Sequence, residues 1–111
     1  MWLLQFLRRY RSVDFISSIA GKVAHNCHQS TWQRVRHRVI SMRLHEARGY
    51  VRARAVECVH SETDRMLANV GGITHEQRAA IVSRALEHVV GLVIRDVLVP
   101  SNSITGKRLA A

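Results

Sequence analysis

Gly71-Gly72-Ile73-Thr74-His75-Glu76-Gln77 is the stretch on which the fold turns. The paired glycines suit a left-handed helix C-cap followed by a turn, because glycine takes positive φ without steric cost. Thr74 and Gln77 have the spacing of a capping box, in which the threonine hydroxyl accepts an early amide N–H and the glutamine reaches back to the threonine's own N–H. One helix should therefore end just before Gly71 and another begin at about residue 75. A connection this short makes the two helices antiparallel neighbours.

Downstream, apolar residues recur at helical spacing. Taking about 100° per residue, Ala79, Val82, Leu86, Val89, Val90, Val93 and Val97 share one face, and Arg84, Glu87, His88, Gly91 and Arg95 lie opposite. The predicted helix runs over about 75–98. Pro100, the only proline, closes it, and the polar residues 100–111 read as a flexible C-terminal tail beyond a single helical domain over 1–99.

Upstream, Ser30-Thr31-Trp32-Gln33 has the same capping-box form. No proline or paired glycine follows before Gly71, so a long central helix is predicted over about 31–69, roughly 60 Å at 1.5 Å per residue. Gly49 is its weak point, where a bend or a break into two helices is the alternative. Before residue 30, Trp2, Leu3, Phe6, Leu7 and Tyr10 suit one short amphipathic helix. Phe15, Ile16, Ile19, Ala20 and Val23 suit a second, or the two are one bent helix. The expected fold class is all-α: a small helical bundle around an antiparallel αα-hairpin with one or two short N-terminal helices. Six aromatic residues and few alternating β-branched positions leave no strand signal.

The net charge of +9 is unevenly placed. Residues 1–54 hold 11 Lys/Arg against the acids Asp14 and Glu46, whereas residues 55–111 hold six basic and six acidic residues. The whole excess lies in the first half, and an anionic partner should meet that half. Projected as one helix, residues 32–55 show two apolar stripes. Trp32, Val35, Val39, Met42, Tyr50 and Ala53 form one, and Ile40, Leu44, Ala47, Val51 and Ala55 the other. Between them run two basic seams, Arg34, Arg38, Arg48 and Arg52 on one side and Arg36, Arg43 and Arg54 on the other. Two apolar stripes require two partners, for which the C-terminal helix and the N-terminal segment are the candidates, with a second chain as competitor.

The bland reading of the seams is that arginine stems cover apolar edges and hold their charges in water. The functional reading is a ladder for phosphates. Guanidinium groups bind phosphate bidentately, and several such contacts make affinity strong, sequence-independent and salt-sensitive. Nucleic acid or another polyanion is thus the expected partner, bound by Arg34, Arg36, Arg38, Arg43, Arg48, Arg52 and Arg54. The other expectation is a helical scaffold that binds a helical protein or a second copy of itself.

Catalytic and cofactor chemistry finds little footing. Gly21-Lys22 and Gly106-Lys107 lack the first glycine and the following Ser or Thr of a phosphate loop. His25, Cys27 and His28 gather potential metal ligands, with Cys58 and His60 as a second pair, but the spacing fits no zinc pattern. The acids Glu46, Glu57, Glu62, Asp64, Glu76, Glu87 and Asp96 show no paired arrangement distinct from surface salt links. The expectation is a protein that is not an enzyme and takes no metal or cofactor. Cys27 and Cys58 form no disulfide framework, no run reaches the 18–20 apolar residues that span a bilayer, and Arg8, Arg9 and Arg11 follow rather than precede the first apolar stretch. A cytoplasmic protein with no transmembrane segment is expected. The Trp2–Leu7 patch should pack on the bundle, with a membrane surface or a presequence role as the alternative.

Overall fold

The computed structural model describes residues 2–98, with side chains from residue 13 onward. Three helices account for nearly all of it: α1 (Trp2–Val39), α2 (Leu44–Leu67) and α3 (His75–Leu98). No strand occurs among the described residues. The side chains of Trp2 to Tyr10 and the expected tail over 100–111 lie outside the described set.

The direction of each helix follows from side-chain pairs. Asn26 meets Glu62 and Ser30 meets Cys58, so α1 and α2 are antiparallel. Arg78 meets Asp64 and Arg52 meets Glu87, so α2 and α3 are antiparallel too. Ser17 with Arg84 and His28 with Asp96 set α1 parallel to α3. Every helix packs on the other two. The molecule measures 59 × 31 × 24 Å, and 38 helical residues in α1 make about 57 Å at 1.5 Å each. The long axis is thus set by α1.

The α2–α3 connection forms as its residues dictate. Gly72 has φ 77°, the left-handed conformation that lacks a penalty only without a Cβ. The Thr74 N–H donates to Gln77 Oε1 at 2.9 Å, and the Gln77 N–H donates to Thr74 Oγ1 at 3.1 Å. Both halves of the capping box are made, and α3 begins at His75. Its core face holds Ile81, Val82, Ala85, Leu86, Val89, Val90, Val93 and Ile94. Ala79, placed on that face by the projection, is exposed, and Val97 is half-buried.

The first half of the chain departs from the expected layout. Ser30 does not open a helix; it lies inside α1, where its hydroxyl donates back to the Cys27 carbonyl at 3.3 Å. Ile19, Ala20, Val23, Ala24, Cys27, Thr31, Val35 and Val39 are buried in one unbroken helical stripe. A continuous stripe of tertiary contact outweighs a local capping option, because helices in proteins draw most of their stability from the buried face. The short N-terminal helices and the start of the long central helix are one element.

The expected 31–69 helix is instead broken, and the break is not at Gly49, which sits inside an uninterrupted α2. The chain turns at residues 40–43. Ser41 N–H donates to the Arg38 carbonyl at 3.2 Å and Met42 N–H to the Val39 carbonyl at 3.1 Å. These three-residue bonds tighten and end α1. Ser41 Oγ also donates to the Arg38 carbonyl at 3.0 Å, a local bond that competes with helix continuation. Arg43 then takes an extended conformation, φ −68° and ψ 156°, as the N-cap of α2, with no side-chain cap bond. The reversal lets Val39 on one side and Ala47, Val51 and Ala55 on the other enter one core.

Candidate nucleic-acid interface

Because the chain reverses at 40–43, the seven arginines do not form two seams along a single rod. Arg34, Arg36 and Arg38 occupy the last turns of α1, Arg43 caps α2, and Arg48, Arg52 and Arg54 follow on its first turns. As one helix, residues 34–54 would extend over about 30 Å. Folded back, they make a basic end about 15 Å deep and two helices wide. With Glu46 the only acid between residues 34 and 54, this stretch of the chain is strongly positive.

The placement has a packing reason. Arg34 and Arg36 bracket buried Val35, Arg38 precedes buried Val39, Arg48 follows buried Ala47, Arg52 follows buried Val51, and Arg54 precedes buried Ala55. Each stem thus leaves the backbone at the edge of the core and carries its guanidinium outward. Arg36 and Arg38, with His37, lie in the last turn of α1, where positive charge complements the partial negative charge of the helix terminus.

All seven arginines are exposed, but they are not equally engaged. Arg52 forms an ion pair with Glu87 of α3. Arg54 lies over the Tyr50 ring, 5.2 Å from its centroid, a cation–π arrangement. Among the described residues, Arg34, Arg36, Arg38, Arg43 and Arg48 have no acidic group within ion-pair distance. Exposed Ile40 (72%) and Leu44 (58%) lie among them at the turn. Both were assigned to a buried stripe by the projection, and the break displaces them, since it resets the helical phase between residues 39 and 44. Ala53, from the other stripe, is exposed as well, while Trp32, Met42 and Tyr50 pack half-buried against the core.

Charge is arranged differently at the far end. Glu62 accepts from Arg65 Nη2 at 2.9 Å and from Asn26 Nδ2 at 3.2 Å. Those bonds, Arg65's first, hold its carboxyl below the ordinary 4.5. Asp64 accepts from Arg78 Nε at 2.8 Å, which lowers the Asp64 pKa and raises that of Arg78. Arg78 Nη2 also stands 3.3 Å from His60 Nδ1. A hollow of about 440 Å³ opens beside this pair, between Leu67, Ile73 and His75. None of the seven arginines lines it.

The candidate ligands near residue 27 do not converge on one point. His25 is exposed, and His28 Nε2 lies 2.5 Å from Asp96 Oδ2, tying α1 to α3. Among the described residues no group of three or more His, Cys, Asp or Glu is placed to hold a metal ion. Cys27 instead meets Cys58, with their sulfurs 2.8 Å apart. Sequence spacing offered no sign of that meeting; it follows only once the turn at 40–43 is known, which sets the two cysteines at similar distances on either side.

The described residues form a compact, all-helical bundle of three helices. No protein-family model, no curated protein and no solved structure matches the chain. No helix among the described residues is long and apolar enough to cross a membrane.

Proposed function

We propose that this chain is a non-enzymatic binding protein that holds a polyanion, with duplex nucleic acid as its partner, on the basic end formed by α1 and α2. One observation carries the reading: five exposed arginines, with no acidic group within ion-pair distance among the described residues, lie on either side of the 40–43 turn within about 15 Å along the helix axes. Guanidinium groups without an acidic partner meet backbone phosphates, releasing counterions and giving affinity without base readout. Trp32 and Tyr50 are half-buried, so base stacking has no exposed platform among the arginines. Arg52 and Arg54 contribute less, as each is already occupied. A cytoplasmic setting suits this role, since nucleic acid is at hand there.

A second reading draws on Ile40 and Leu44, whose exposure at the same end suits a protein partner or a second copy of the chain. Arg34, Arg36, Arg38, Arg43 and Arg48 changed together to Gln distinguish the two readings. Glutamine keeps helix propensity and much of the stem, so circular dichroism should match the wild type. Affinity for a short duplex, read by fluorescence anisotropy at low salt, should fall on the order of 100-fold for all sequences alike. Arg65→Gln with Arg84→Gln, on stretches of α2 and α3 removed from the turn, should leave it within about twofold. Equal binding by the five-fold variant and the wild type would overturn the proposal. Association that survives the arginine changes but is lost in Ile40→Ser with Leu44→Ser would put the second reading in its place.

A further inference from the structure

Cys27 and Cys58 belong to no motif and serve neither the basic end nor the far-end ion pairs. They nonetheless face each other across the α1–α2 interface, with sulfurs at 2.8 Å although 31 residues separate them in sequence. That is closer than two sulfurs rest in plain van der Waals contact and about 0.75 Å longer than a disulfide bond. The register is pinned on both sides, by Asn26 on Glu62 and by Ser30 Oγ, 3.7 Å from Cys58 Sγ. We propose that Cys27 and Cys58 are a reversible thiol pair that a peroxide oxidises to an intrachain disulfide, stapling α1 to α2.

The two thiols have different roles. Cys27 is fully buried and Cys58 half-buried, so an oxidant reaches Cys58 first. Burial and the adjacent Cys58 push the Cys27 thiol well above its ordinary value, which keeps Cys27 protonated and leaves Cys58 as the thiol that meets the oxidant. The Cys58 thiolate attacks one oxygen of the peroxide, the O–O bond breaks, and hydroxide leaves, with Cys58 as sulfenic acid. The Cys27 sulfur then displaces the sulfenic hydroxyl, which departs as water with the Cys27 proton, and the S–S bond forms. For hydrogen peroxide the sum is two thiols and one peroxide giving one disulfide and two waters, with two electrons passing to the peroxide. A dithiol reverses the bond by exchange, itself becoming a disulfide. The loop closed by the staple contains the 40–43 turn and all seven arginines, so oxidation locks together the hairpin that carries the basic end.

The pair is tested on the full chain, independently of any binding. The protein is treated with stoichiometric hydrogen peroxide, alkylated under denaturing conditions and weighed intact. The expected product is a monomer lighter by two hydrogens that accepts no alkyl group, and it returns to two alkylated thiols after dithiothreitol. Its melting temperature should rise on the order of 10 °C over the reduced form, as expected for closing a loop of this length. Cys58→Ala, which leaves the core cysteine in place, should abolish both changes. Cys27→Ala should instead leave Cys58 as a trappable sulfenic acid or an intermolecular dimer. Two free thiols in the peroxide-treated wild type, wild-type dimers as the main product, or a lowered melting temperature would each overturn the proposal.

Discussion

Replacing Leu44 by proline separates a chain that turns at residues 40–43 from one that runs helically through them. Leu44 is the first residue of α2, and Arg43 before it is extended, with φ −68° and ψ 156°. That is the conformation which a following proline imposes, and the first helical position is where the missing N–H costs nothing. Leu44 is 58% exposed, so truncating it forfeits under half of a leucine's burial, about 0.8 kcal/mol. The stiffer unfolded chain returns about 0.4–1 kcal/mol. Leu44→Pro should therefore stay within about 1 kcal/mol of wild type. In an uninterrupted 31–69 helix the same change would cost about 3 kcal/mol or more, since it would remove a backbone hydrogen bond and clash with the preceding turn. Gly49→Pro is the control: Gly49 lies inside α2 with open space where a Cβ would stand, so its cost is a backbone cost of about 2 kcal/mol or more. Urea unfolding followed by helical circular dichroism measures both. Losses of similar size, above about 2 kcal/mol in each, would refute the turn.

Two other changes test the interior and the far-end charges. Thr31 is buried with its hydroxyl unpartnered, so Thr31→Val should raise stability by about 1 kcal/mol in the same urea experiment, and a loss of stability would show that the hydroxyl is satisfied. Glu62 has its folded pKa lowered, chiefly by hydrogen bonds from Arg65; the stability it adds is complete above its unfolded value and is lost as pH falls below about 4.5 through the folded one. Melting temperature measured down that range should decline less steeply in Glu62→Gln, and parallel curves would contradict the assigned cause.

What could be read in the sequence and what could not divide by the range of the interactions. The α2–α3 turn and α3 were legible because their determinants are local. Thr74 and Gln77 cap each other, Gly72 takes positive φ, and the observed His75–Leu98 coincides with the expected 75–98. The first half was misread because its decisive contacts are distant. The Ser30-x-x-Gln33 pattern lost to a buried stripe running from Ile19 to Val39. The 40–43 turn has neither glycine nor proline; it is held by short backbone bonds and by core residues on both sides. The arginines stood out by charge alone, but their gathering at one end depends on that turn. The Arg52–Glu87 and Arg54–Tyr50 engagements likewise emerge only with the helices formed and packed.

The salt dependence of duplex binding tests the proposed role most directly. Each phosphate neutralised on duplex DNA contributes about 0.9 to the slope of log affinity against log salt, so five unpaired arginines allow a slope down to about −4.5. Contact by three to five of them predicts a value of about −3 to −4.5, the same for unrelated sequences, and all seven acting as a ladder would approach about −6. Anisotropy titrations from low to physiological salt give the number. A slope in the expected range that flattens toward zero in the five-arginine variant is the predicted result. No binding at low salt, or affinity indifferent to salt, would contradict it.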